Sequence, residues 1–232
     1  DATATYDSTS NPRKITITYN GSASCSTGYT RTGSIEITMA SNMQWKNQGA
    51  VITVTYKNLK VTRTSDNKSL TINGSHTITN VSGGLLYYLA LGQVQSISHD
   101  IDGSLTITFD DNTQRSWQVA QRRTFTIENN KFVLTVTGNK TVGTTEGVSE
   151  WGTNRFGHAF TTSITQPLVF RQDCANRLTA GEVKHEGFGT ATATFGLDAS
   201  GTAISCPGTG HYYVKLTWTG PNGASVSAIW PY

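Results

Sequence analysis

Strict alternation of apolar residues with threonine constrains this chain more than any other feature. It runs through Lys14-Ile-Thr-Ile-Thr-Tyr19, Val51-Ile-Thr-Val-Thr-Tyr56 and Ser104-Leu-Thr-Ile-Thr-Phe109. Successive side chains on a strand point to opposite faces, so this period gives each strand one apolar and one polar face. Four turn-type pairs punctuate the pattern: Asn20-Gly21, Asn73-Gly74, Asp102-Gly103 and Gly138-Asn139. Such pairs supply the positive φ angles of tight hairpins. The expectation is an all-β chain: an antiparallel β-sandwich, or elongated stacked β-sheets, with hairpin connections. Strands are expected at 14–20, 33–40, 50–62, 69–80, 94–98, 104–109, 114–127, 131–138, 157–166, 179–186, 189–197, 211–219 and 225–230.

Residues 1–12 are polar and aperiodic and read as an N-terminal tail. An extended Thr-rich tail is suited to pair with an open sheet edge, its own or a neighbour's. Residues 143–154 form the longest turn-rich stretch. They divide an N-terminal β body, 13–142, from a C-terminal β sub-region, 143–232, with one continuous domain as the alternative.

Composition removes several function classes. The 232 residues hold 18 basic and 15 acidic side chains, a formal charge of +3. No basic stripe with interleaved aromatics accompanies it, so a nucleic-acid partner is not expected. The longest apolar run, Leu85–Leu91, is far short of the roughly 20 residues of a membrane span. Charged residues make up 14% of the chain, against roughly 25% in an average domain. Threonine, serine, asparagine and glycine fill the difference. That balance suits a secreted or cell-surface protein.

The three cysteines are Cys25, Cys174 and Cys206. None belongs to a C-x-x-C motif or stands at zinc-ligand spacing from a histidine. The two strands between Cys174 and Cys206 fold back on themselves, which returns the chain close to its start. A Cys174–Cys206 bridge, a Cys25 pairing and three free thiols all remain open on the residues alone.

Several segments occur in a familiar order: Thr30-Arg-Thr-Gly-Ser-Ile-Glu-Ile-Thr38, Asn73-Gly-Ser-His-Thr-Ile-Thr-Asn80, Asp102-Gly-Ser-Leu-Thr-Ile-Thr-Phe-Asp110, Gly152-Thr-Asn-Arg-Phe-Gly157 and the late pair Cys174 and Cys206. Across roughly residues 12–220 the chain resembles a family of uncharacterised secreted proteins and lipoproteins of Bacteroidota. The resemblance implies an all-β fold, an extracellular or cell-surface location and a Cys174–Cys206 disulfide. It implies no catalytic residues. Two departures stand out: Cys206-Pro-Gly replaces the family's Cys-Asp-Asn, and no cysteine near residue 1 matches a lipid anchor.

Candidate sites are sparse. Glu128, Glu146 and Glu150 read as solvated acids, and the five histidines show no metal or protease spacing. No Gly-x-Ser-x-Gly is present. No catalytic role is therefore expected, and no cofactor beyond a possible calcium ion. Asp100, Asp102 and Asp110 offer oxygens on neighbouring expected turns, which would suit calcium. Trp117 and Trp218 lie in strand text and are expected in the core. Trp45 and Trp151 lie in loop text and are the expected exposed aromatics for a protein or glycan partner. Asp7-Ser8-Thr9 matches a short O-glycosylation motif at Ser8 and Thr9. The leading expectation is a cell-surface binding or adhesion module. Behind it stand a subunit that assembles with copies of itself by strand addition and, last, a carbohydrate-active enzyme.

Overall fold

The computed structural model describes residues 2–22 and 28–232, so Cys25 lies outside the described residues. The strands are β1 (Ala2–Asp7), β2 (Arg13–Asn20), β3 (Tyr29–Met39), β4 (Ala50–Arg63), β5 (Ser69–Asn80), β6 (Ser96–Phe109), β7 (Gln114–Glu128) and β8 (Lys131–Gly138). They continue as β9 (Lys140–Val142), β10 (Thr145–Thr153), β11 (Ala159–Arg171), β12 (Arg177–Gly187), β13 (Gly189–Leu197), β14 (Tyr213–Thr219) and β15 (Ser225–Pro231). Helical structure among the described residues is confined to α1 (Leu86–Ala90) and a 3-10 turn at Gln172–Cys174. The fold is all-β and antiparallel, and all fifteen strands belong to one sheet rather than to two packed ones.

The topology is a meander in which β8 and β10 share one place. β7 pairs β8 through Gln121–Glu128 and β10 through Ser116–Val119. On the other side, β11 pairs β8 through Leu168–Arg171 and β10 through Ala159–Ser163. β8 and β10 thus lie end to end between β7 and β11. The chain between them leaves as a short finger, β9, which pairs back on β10. Thirteen strand positions result, with β1 and β15 at the two edges.

Cross-strand register assigns the two faces. One row runs Thr5, Thr16, Glu36, Thr55, Ser75, Ser104, Gln118, Trp151, Thr161, Glu186, Thr190, Thr219, Ser225. The adjacent row, on the opposite face, runs Tyr6, Ile15, Ile37, Val54, His76, Gly103, Val119, Glu150, Thr162, His185, Ala191, Trp218, Val226. The Thr/apolar alternation of the sequence is this division into a polar and an apolar face.

Burial does not follow the same division. A two-layer sandwich would alternate buried and exposed residues along each strand. In β5, ten of twelve residues are half-buried, on both faces alike. The total accessible surface is 12954 Å², whereas a compact monomer of this mass has about 10,200 Å². The sheet is an open layer, and the alternation does not seat every strand on a core.

The best-covered region lies at one margin of the apolar face. Ile97 and Leu89 of α1 are buried there, with Ala50 and Asn80 beside them. Asn80 Nδ2 donates to the carbonyls of Trp45 (2.8 Å) and Gly84 (2.9 Å), which ties the 40–49 loop to the turn before α1. His99 sits with its ring 5.0 Å from Trp45 and 5.4 Å from Phe125. Desolvation there, with nearby Arg123, pushes the His99 pKa below its ordinary value, and the same two causes act on His76. Below about pH 6.5 the unfolded chain takes up these protons before the folded one does. Stability is therefore full above that value and falls as pH drops toward the lowered folded pKa. Thermal melts between about pH 7 and pH 5 should show the fall, and His99→Phe should flatten it, leaving the share due to His76.

Four sequence expectations are corrected here. Residues 2–7 are the edge strand β1 rather than an aperiodic tail, and of the two pairings expected of them they make the one with the chain's own sheet edge, on β2 from Ala2↔Tyr19 to Asp7↔Lys14. The 143–154 stretch is mostly strand β10. Asp102-Gly103 and Asn73-Gly74 lie inside β6 and β5 rather than at turns. There the glycines allow close backbone approach: a Cβ on Gly74 would lie 2.3 Å from the Ser104 carbonyl oxygen, and one on Gly103 would lie 2.4 Å from His76 Cβ. The β6–β7 turn is made instead by Asp111 and Asn112. Asp111 accepts from the Thr113 N–H (3.1 Å) and hydroxyl (2.6 Å), and Asn112 takes φ +63°.

Candidate functional site

Trp151 lies in β10 near the centre of the polar face, flanked in register by Gln118 of β7 and Thr161 of β11. It is strand-borne and half-buried, not on the loop expected of it. It is the one aromatic residue in its thirteen-position row. Ser75, Thr77, Asp102, Ser104 and Gln118 line a shallow depression with it. Thr77 donates its hydroxyl to the Asp102 carbonyl oxygen (3.2 Å), which braces the floor. Lys140, on the β9 finger, holds its ammonium 5.9 Å from the Trp151 ring centroid. That is near the outer limit of a cation–π contact. The arrangement is an indole edge or face beside hydroxyl, amide and carboxylate groups.

Of the remaining expected residues only Asp102 joins this site. Trp45 is half-buried in the marginal cluster against His99 rather than presented to a partner. Asp100, Asp102 and Asp110 do not converge. Asp100 and Asp110 are ten residues apart along one extended strand, about 33 Å, because β6 runs straight through Asp102-Gly103. Asp100 is moreover held by Arg122 in a two-pronged ion pair, both contacts 2.7 Å. Asp102 alone lines the Trp151 depression, while Asp110 lies in a separate groove with Tyr29, Arg63 and Arg155. The calcium expectation therefore loses its geometry.

Ser8 and Thr9 are exposed in the β1–β2 turn. Asp7 caps that turn by accepting from the Thr9 N–H (3.0 Å) and hydroxyl (2.9 Å) and from the Ser10 N–H (3.1 Å). Hydrogen bonding by Ser10 and Thr9 holds the Asp7 carboxyl far below the usual carboxylate range. The Thr9 hydroxyl is thus already a donor, and Ser8 is the freer of the two.

No protein-family model, curated protein or solved structure matches the chain.

Cys174 and Cys206 form a disulfide with Cα atoms 5.1 Å apart. Asp173 lies beside the two sulfurs, but sulfurs bonded to each other are not thiolate ligands. Arg177 reinforces the bridge. Its guanidinium donates to the carbonyls of Cys174 (3.1 Å), Gly210 (2.8 Å) and Gly208 (2.9 Å), and lies 5.1 Å from the ring centroid of the buried Tyr212. Among the described residues no helix is long and apolar enough to cross a membrane.

The surface that sequence reading missed is at the last three strands. Trp218, expected in the core, is 42% exposed, and Val226 beside it is 63% exposed. The signal was present in the alternation Val214, Leu216, Trp218. What was not legible is that no second layer covers it.

Proposed function

We propose that this chain is a non-catalytic binding module of the extracellular space or cell surface, with Trp151 at the centre of a glycan-recognising patch on its polar face. The observation that carries this reading is the placement of one indole in an otherwise polar row, bordered by Ser75, Ser104, Gln118 and Asp102. Sugars offer C–H faces that stack on an aromatic ring and hydroxyls that bond to such neighbours. A rigid open sheet presents them without a deep pocket, as suits a chain polymer. The disulfide favours an oxidising compartment, and the resemblance to secreted Bacteroidota proteins points the same way.

Binding to an array of defined oligosaccharides tests the reading. The intact protein should retain a subset. Trp151→Ala should weaken that binding about 30-fold or more, as for other aromatic anchors, while Gln118→Ala should have a smaller effect. Retention unchanged by Trp151→Ala, or no glycan bound by the intact protein, would reject it.

A second reading, assembly by strand addition, is favoured by the two open edges. The side chains of Ala2–Tyr6 are exposed, with no proline or lysine among them to guard the edge. Thirteen alternating positions leave β1 and β15 pointing the same way. Head-to-tail addition would then make a parallel junction in an antiparallel sheet, whereas edge-to-same-edge pairing about a two-fold keeps the ladder antiparallel. Electron microscopy of the intact chain and of a variant lacking residues 1–12 distinguishes these. If assemblies depend on β1, the deletion abolishes them.

A further inference from the structure

The apolar face has two open patches, one at each end of the sheet. At the β14–β15 end, Trp218 is 42%, Val226 63% and Trp230 50% exposed. Leu216 and Ala228 lie opposite each other on the same face. At the β1–β2 end, Tyr6 is 64% and Ile15 39% exposed, and both line an apolar depression with Ile37 and Ile52. Between the two ends the sheet covers itself. The Arg115 guanidinium lies 4.8 Å from the Phe160 ring centroid and 6.0 Å from that of Trp117, and His185 stacks on Phe160 at 5.5 Å. Leu105, Val119, Phe160 and Ile164 are buried beneath this layer. Read across the strands, the face is therefore apolar, polar, apolar.

We infer that this face is covered by the same face of a second copy of the chain. Three observations choose that occupant. The pattern is symmetric about the middle of the sheet, so a two-fold axis along the strands lays each open patch on the opposite patch of the other copy. By register, Tyr6 then lies toward Val226, Ile15 toward Trp218 and Ile37 toward Ala191, while His76 lies toward Thr162. At the two ends large side chains meet small or flat ones; nearer the centre Val54 lies toward His185 and Gly103 toward Glu150, and Val119 lies toward its own copy. An unrelated partner would have to match the two patches separately, whereas a copy matches both in one operation. The area agrees. The accessible surface, 12954 Å², exceeds that of a compact monomer by about 2,700 Å² per copy, so a contact that buried even half of the excess of two copies, about 2,700 Å² in total, falls among obligate dimers. The result is two sheets packed face to face, the two-layer arrangement that a single layer lacks. Both polar faces remain outward, so this inference does not depend on the glycan reading.

Sedimentation velocity and light scattering from about 1 µM to about 100 µM protein decide the matter. The intact chain should sediment as a dimer, twice 25.0 kDa. Trp218→Lys combined with Val226→Lys should shift it to monomer at the same concentrations. Because those side chains are already exposed, the circular dichroism spectrum should be unchanged. Tyr6→Lys with Ile15→Lys, at the other end of the sheet, should give the same shift, as a two-fold pairing of opposite patches requires. Trp151→Ala should leave the dimer intact. A concentration-independent monomer, or a dimer that survives both lysine pairs, overturns the inference. Loss of the dimer only on deleting residues 1–12 would assign it to the strand edge instead and overturn it as well.

Discussion

Gly138→Ala is expected to be the most damaging single methyl group that can be added to this chain. Gly138 ends β8 at the point where β8 and β10 meet end to end between β7 and β11. A Cβ there would lie 1.8 Å from the Gly147 carbonyl oxygen, 2.2 Å from its carbonyl carbon and 2.7 Å from that of Val148. Every colliding atom is backbone, so no rotamer change relieves the clash. Val148 is fully buried, and the Asn139 N–H is committed to the Ala120 carbonyl (3.0 Å). The finger would have to be pushed out of the junction, opening the middle of the sheet. The expected cost is at least about 3 kcal/mol, at or beyond the upper end of ordinary overpacking. Chemical denaturation should show the midpoint falling, or no cooperative transition at all. Gly157→Ala is the comparison: it meets nothing within 4 Å and carries only the strain of φ +80°. That change should cost about 1 kcal/mol. Equal effects of the two substitutions would show that the end-to-end junction is not a tight point of the fold.

That junction also marks the limit of what the sequence discloses. Alternation located β2, β4, β5 and β7 because each keeps period two over eight or more residues, and this property belongs to the strand itself. Whether a glycine ends a strand or lets two backbones close up depends on what lies across the ladder. Gly103 and Gly74 look like turn residues in the sequence for that reason, and a turn at Asp102-Gly103 is what suggests calcium at Asp100, Asp102 and Asp110. Asn129-Asn130, which makes a real turn with φ of +50° and +59°, carries no glycine to announce it. Ala2–Asp7 has one large apolar residue, too few for a period to register, so the sequence suggests a segment able to pair with a sheet edge without marking it as the strand β1. The sequence marks Trp151 as a candidate but in loop-like text, because Gly147 and Gly152 on either side of it look like turn residues. The polar setting that makes it a candidate site arises only when the seven strand positions on one side of it and the five on the other supply mostly polar side chains at one height. No local pattern encodes that row.

Replacing Cys174 and Cys206 together by serine should lower stability by about 3.5 kcal/mol, the chain-entropy value for a loop of this size. The bridge spans a sequence separation of 32 and encloses β12 and β13, which hold the last third of the sheet in line. Its Cα separation of 5.1 Å is ordinary for a disulfide. The effect should be local first. The 198–212 loop would keep the Arg177 contacts to Gly208 and Gly210, and Tyr232 would keep its hydroxyl bonds to the Leu178 carbonyl (2.8 Å) and the Gly196 N–H (2.9 Å). All but the part-buried Gly196 bond are solvent-exposed; at about 1 kcal/mol each they cannot replace the tether. In an open layer β15 rests on one neighbour only, and β13 and β14 lie between it and the bridge, so β13–β15 should lose amide-exchange protection before β3–β7 does. The melting temperature should fall by roughly 7–14 °C for a chain of this length. Cys25→Ser serves as the control, with the remaining pair intact. An unchanged melt after removal of Cys174 and Cys206, or protection lost evenly across the sheet, would show that the bridge does not hold this end of the molecule together. Protection lost only at β14–β15, with β12 and β13 unaffected, would confine its action to the 198–212 loop and leave the Arg177 clamp as the main restraint on the strands it encloses.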